Sequence, residues 1–178
     1  IDDISGALLQ ARVMANDLNF TNVDSWTAWV GVNGIGLDGE GREYSDGLLV
    51  ATDDNITGIK IPLRYYAVAH YAKFIPVGSV KVATEKNIYD MLWEKDWAGN
   101  ITGANFVTNV VSYLTPDGKV VTVITNEGED RELKVRVDRK NMTVYTTTQE
   151  KQMQETYSGK KTEITLPANS ITTIVFDN

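Results

Sequence analysis

The chain contains no cysteine and a single histidine, His70, among 178 residues. No disulfide, zinc–thiolate site or thiol nucleophile can therefore be built, and a lone imidazole makes a transition-metal site a poor fit. Basic residues are outnumbered: 17 Lys and Arg face 24 Asp and Glu, leaving a net charge of -7. Nucleic acid and anionic membrane surfaces would repel such a chain. No apolar run approaches the roughly 20 residues that span a bilayer. Ile1-Asp2-Asp3 offers neither the basic nor the apolar region of a signal peptide. No cofactor is implied. The glycines of Gly31-Val-Asn-Gly-Ile-Gly36 lack the spacing and following helix of a dinucleotide fingerprint.

What is present has the balance of a folded protein, with 42% hydrophobic and 23% charged residues. Ile4, Leu8, Ala11, Ala15 and Leu18 recur at three- and four-residue steps and predict a first helix. Ser25 to Val32 is apolar almost throughout and predicts a strand buried on both faces, as in a parallel sheet. Gly34 to Gly58 reads as a long polar loop, of a length that is often functional. Leu63, Tyr66, Ala67, His70 and Phe74 share the face of a second helix, which Pro76 and Gly78 end.

From Ser79 the texture changes to short alternating segments. Val80–Val82, Phe106–Leu114, Val120–Thr125, Leu133–Val137, Val144–Thr148, Lys161–Leu166 and Ile171–Phe176 read as strands separated by turns. The fold class expected is α+β, with a boundary at Gly78. Residues 1–78 would be the last βα portion of a barrel, and residues 79–178 an antiparallel β-sandwich of about seven to nine strands. A closed eight-fold barrel needs about 250 residues, so residues 1–78 can supply only its end.

The order of these elements resembles glycoside hydrolase family 30. The likeness is carried by Asp24-Ser-Trp-Thr-Ala-Trp29, by Tyr65 to Val82, by Val111 to Asn126 and by the closing Leu166 to Phe176. The family joins a (β/α)8 barrel to a β-sandwich and cleaves β-linked glycans with retention, through two glutamates on barrel strands 4 and 7. The resemblance makes Asp24–Val32 strand 8. Both glutamates would then precede Ile1, no catalytic residue is carried over, and the chain alone would be inactive. Its implied partners are a polysaccharide or oligosaccharide and the remainder of the barrel, in a secreted or periplasmic protein. Four Asn-X-Thr sequons, at Asn19, Asn55, Asn100 and Asn141, add little in a chain this rich in Asn and Thr.

Three residues are candidate sugar contacts. Trp29 matches the family's aromatic at the sugar-binding floor, where indole would stack on a sugar face. Asn33 and Tyr44 follow at the C-terminal end of the strand, where barrel active sites lie. Trp26, three positions before Trp29, points to the opposite face and reads as core. The arginines that mark glucuronate-specific members are absent from Val30-Gly-Val-Asn-Gly34. Trp93 and Trp97 are either a sugar platform, as in a non-catalytic carbohydrate-binding module, or loop aromatics packed on the sandwich. His70 reads as a core or interface residue, Glu127–Glu132 as a solvated hairpin tip, and Asp53-Asp54-Asn55 as a solvated turn without EF-hand spacing.

Overall fold

The computed structural model describes residues 3–21, 23–52, 57–139 and 141–177. The Asp53-Asp54-Asn55 cluster lies outside them. Helix α1, Ile4–Phe20, starts at Asp3, whose carboxylate accepts from the Ser5 N–H at 3.0 Å as an N-cap. At its other end Lys81 donates to the carbonyls of Leu18 and Asn19, at 2.8 and 3.0 Å. A cation is thus set where the helix leaves acceptors unfilled. Helix α2, Leu63–Ala72, shares a core with it, and the Tyr71 hydroxyl donates to the Ala11 carbonyl.

Between the helices lie short strands β1 (Val32–Gly34), β2 (Gly36–Leu37), β3 (Glu43–Tyr44), β4 (Leu49–Ala51) and β5 (Ile59–Lys60). After α2 come β6 (Val80–Val82), β7 (Met91–Lys95), β8 (Ile101–Phe106), β9 (Thr108–Leu114) and β10 (Val120–Asn126). The chain closes with β11 (Arg131–Lys134), β12 (Met142–Thr147), β13 (Gln154–Gly159), β14 (Glu163–Leu166) and β15 (Ser170–Phe176). Six strands form one antiparallel sheet, in the order β13-β12-β15-β10-β9-β6, and β11 pairs with β14 in a second layer.

Alternation along the strands explains the layering. Val111, Val123 and Ile171 point to one face and share a core with Ala7, Leu8, Ala11, Met14, Leu63 and Ala67 of the helices. Their alternates Ile124, Met142, Val144, Ile174 and Phe176 point to the other face and pack on Ile164 and Leu166 of β14. The sheet is therefore apolar on both sides, with helices on one and the second sheet on the other. The α+β class with a β-sandwich is what the structure shows.

Several local expectations need correction. Only Val32 of the Ser25–Val32 segment is in a strand, and Trp29 is 88% exposed rather than buried. Among the described residues the segment finds backbone partners only at its end, where Leu48 and Leu49 donate to the carbonyls of Val30 and Gly31. The polar loop is not structureless. Its apolar quartet Leu48-Leu-Val-Ala51 supplies β4, which lies parallel to β1 with Val32 opposite Leu49. Ten strands follow Gly78 because the β7–β8 hairpin and the polar edge strand β13 carry too little apolar alternation to stand out.

Candidate functional site

The residues singled out for sugar contact cluster around β1 and the β2–β3 hairpin. Trp29 precedes β1, its ring in solvent, and the Trp29–Val30 peptide bond is cis. Trp26 turns the other way: it is half-buried against the helical core and its indole N–H donates to Asp17 at 3.0 Å. The two indoles differ in exposure although the segment that carries them is not a strand.

Asn33, on β1, is held from both ends of its amide. Its Nδ2 donates to the Asp46 carboxylate, and its Oδ1 accepts from the Gly34 N–H at 2.9 Å. Tyr44 stands opposite Gly36 across the hairpin and is half exposed. A Cβ on Gly36 would come within 2.8 Å of the Tyr44 ring, so glycine is what lets the ring lie flat over the backbone. The turn between β2 and β3 is fixed by Asp38, which accepts from the backbone of Glu40 and Arg42 and from the Arg42 guanidinium. The Arg42 contacts hold the Asp38 carboxyl below its ordinary range.

Asp46 and Arg64 complete the arrangement and were not visible in the sequence. Arg64, at the start of α2, donates to the carbonyls of Gly47 and Ser45 and so ties that helix to the loop carrying Asn33's partner. Burial lowers the Arg64 guanidinium, and the Asp46 charge opposes that shift. Gly47 admits no side chain, since a Cβ there would meet the Leu49 carbonyl at 2.5 Å and the Asn33 nitrogen at 2.6 Å. The result is an open, preorganised edge: one exposed indole, one half-exposed phenol and one oriented amide. It can bind a polar ring by stacking and hydrogen bonding. It has no nucleophile–base pair, and among the described residues no three acidic or histidine groups converge on a metal position.

Other candidates fall elsewhere. His70 is fully buried between α2 and the sheet, its Nδ1 2.7 Å from Thr173 Oγ1 and its Nε2 2.8 Å from Thr147 Oγ1. The Thr173 hydroxyl also donates to the His70 carbonyl, so Nδ1 carries the proton and Nε2 accepts from Thr147. Burial, and then the nearby Lys73 charge, push this imidazole down to about 3. Glu127 is not part of a solvated tip. It is half-buried and, with Glu94 of β7, flanks the buried Arg12 at 3.5 and 3.4 Å. Trp93 and Trp97 do not pack on the sandwich: Trp97 is 99% exposed at the tip of the β7–β8 hairpin, and Trp93 is more than half exposed.

A β-sandwich backed by two helices is the class that the fold defines. Residues 102–174 match the model of the glycosyl hydrolase family 30 beta sandwich domain. The likeness to family 30 read from the sequence is thereby shown for the C-terminal portion. Among solved structures, the chain is similar to a GH30 endoxylanase from Clostridium papyrosolvens C71, at 20% identity and a TM-score of 0.67 over 100% of this chain and 40% of that one. The catalytic domain of GH30 xylanase C from Talaromyces cellulolyticus matches at 15% identity and a TM-score of 0.72, over 97% of this chain and 35% of that one. A conserved exported protein from Bacteroides fragilis matches at 24% identity and a TM-score of 0.71, over 97% of this chain and 33% of that one. A search of curated proteins gives no match. The chain thus spans about two fifths or less of the solved structures it resembles. Among the described residues, no helix is long and apolar enough to cross a membrane.

Proposed function

We propose that this chain is the C-terminal part of a retaining β-glycoside hydrolase acting on polysaccharide outside the cytoplasm. Residues 1–78 would close a (β/α)8 barrel, and residues 79–178 would buttress it. The observation that carries this reading is surface left bare on the N-terminal portion. Leu9, Val13 and Phe20 form an exposed apolar stripe along α1, and among the described residues the run from Ser25 to Trp29 makes no backbone–backbone hydrogen bond. An apolar helix face and unpaired backbone both call for a neighbouring element. The neighbouring strand and helix of a barrel would cover them.

In that setting Trp29, Asn33 and Tyr44 lie at the barrel mouth. Trp29 would stack on a sugar ring, Asn33 would hydrogen-bond a hydroxyl with its amide fixed by Asp46, and Tyr44 would border the ring. The bond-breaking groups would be two glutamates of the rest of the barrel. One protonates the leaving oxygen and the other attacks the anomeric carbon, at a separation of about 5 Å. This chain contributes binding and orientation, and no proton transfer.

The purified 178-residue chain is accordingly expected to leave an aryl β-glycoside intact. Measurable turnover by this chain on its own would overturn the reading. In the whole enzyme, Trp29→Ala is expected to weaken oligosaccharide binding roughly tenfold, the scale of one lost aromatic contact. An unchanged inhibition constant for a bound oligosaccharide would remove Trp29 from the site.

One observation favours a second reading, a non-catalytic carbohydrate-binding module. The Trp97 turn is rigid: Asp96 accepts from the backbone of Ala98 and Asn100 and from the Asn100 amide, all at 2.9 Å. A fully exposed indole on a fixed turn can stack on a neutral glycan without ordering cost. Under this reading Trp97→Ala abolishes retardation in affinity electrophoresis through a neutral β-glucan; retardation equal to that of the parent chain would dismiss it.

A further inference from the structure

The molecule carries a local charge pattern opposite to its overall one. Two adjoining cavities, of about 680 and 650 Å³, open beside β11 and β14 and meet at Thr162. Lys134 and Arg136 line the first, and Arg139, Lys160 and Lys161 the second. Among the described residues, only Lys134 of these five has a carboxylate partner, Glu163 at 3.1 Å. Among the described residues Arg136, Arg139, Lys160 and Lys161 have no ion-pair partner, although acidic residues outnumber basic ones along the chain. Arg139 donates only to the carbonyls of Asp138 and Gly118, and its Nε is buried without a partner. Five cations against the two carboxylates Asp138 and Glu163 leave the combined lining net positive, a surface that favours an anion.

We propose that these cavities form a binding site for an anionic glycan bearing carboxylates on successive sugars. The lining is not purely ionic. Val135 and Val137 provide apolar surface in the first cavity, and Lys161 is held 4.5 Å above the Tyr157 ring centroid. Apolar patches alternating with cations suit sugar rings alternating with carboxylates. Nucleic acid fits worse. Its charge density, one phosphate per about 1.7 Å of duplex, meets the repulsion of a protein with net charge -7 beyond the edge of so small a patch. Asp138 and Glu163 in the lining further disfavour a uniformly dense polyanion. The site is separate from the Trp29 edge and does not depend on how that edge is read.

The test compares polygalacturonate with its fully methyl-esterified form, by calorimetry on the full 178-residue chain at low and moderate salt. The site predicts binding of the first and not of the second, weakening as salt rises. Lys160→Gln with Lys161→Gln, two exposed changes that keep the unfolding midpoint, is expected to weaken binding about tenfold. Trp29→Ala is expected to change nothing. Equal binding of the esterified polymer, no loss in the double variant, or equal binding of a short DNA duplex would each overturn the proposal.

Discussion

Replacing Arg12 by methionine is expected to lower the unfolding free energy at pH 7 by about 3 kcal/mol, because it strands a buried carboxylate. Arg12 is buried on α1 and lies between Glu127, whose side chain is largely covered, and Glu94, which is half exposed. Burial raises the Glu127 carboxyl above its ordinary value of 4.5, Arg12 opposes that, and Glu94 adds to it. One Glu127 oxygen has no hydrogen-bond partner. The only counterweight to a desolvated charge is therefore the guanidinium. Glu127→Gln in the methionine background removes the stranded charge and is expected to recover most of the loss, so the two changes will be strongly non-additive in urea titrations. The sign with pH follows. A carboxyl whose folded value is raised binds more protons folded than unfolded, so its contribution falls as pH rises from about 4.5 upward. That fall steepens in Arg12→Met. A loss below 1 kcal/mol, or strict additivity, would mean that solvent reaches Glu127.

The second large effect is acid sensitivity from His70. The folded imidazole titrates at about 3, against 6.5 for the free group. Here the unfolded chain binds the extra proton, so stability is full above about pH 6.5 and falls as pH drops toward 3. Within that window the slope is about 1.4 kcal/mol per pH unit, one proton's worth. The physical reason is the pair of threonines. Thr147 already accepts from the Met153 N–H while donating to His70 Nε2, so a protonated ring would have to displace that arrangement. His70→Gln can bridge the same two hydroxyls without titrating. It is expected to cost stability at pH 7 and to flatten the profile between pH 4 and 6.5; an unaltered slope in that variant would assign the acid transition to other groups.

These two effects differ in how far the sequence disclosed them. The burial of His70 was legible, since it lies on the apolar face of a helix whose period is plain. Its threonine partners were not, because nothing local marks which hydroxyls of β12 and β15 turn toward the helices. Glu127 reads as solvated from the sequence because its cation sits on α1, and only the three-dimensional fold brings the two together. The same distinction holds for the strands. β9, β10, β12 and β15 announce themselves through alternating apolar residues, whereas β13, reading Gln-Glu-Thr-Tyr-Ser-Gly, is an edge whose pairing needs a neighbour rather than a core. Around β1, the family likeness singles out Trp29, and position at the end of the segment singles out Asn33. Asp46 and Arg64, which orient Asn33 and its loop, act through tertiary contacts that no spacing encodes.

The six-stranded sheet, apolar on both faces, has a consequence for engineering. Gly78 marks a change of texture in the sequence, but not a seam in the packing. Val111, Val123 and Ile171 complete the helical core from one side of the same strands that hold Ile124 and Ile174 on the other. Cutting the gene at that glycine would yield two halves with raw faces rather than two modules. A chimaera that swaps this β-sandwich into another protein must carry α1 and α2 with it, so the transplantable cassette is larger than the all-β region alone.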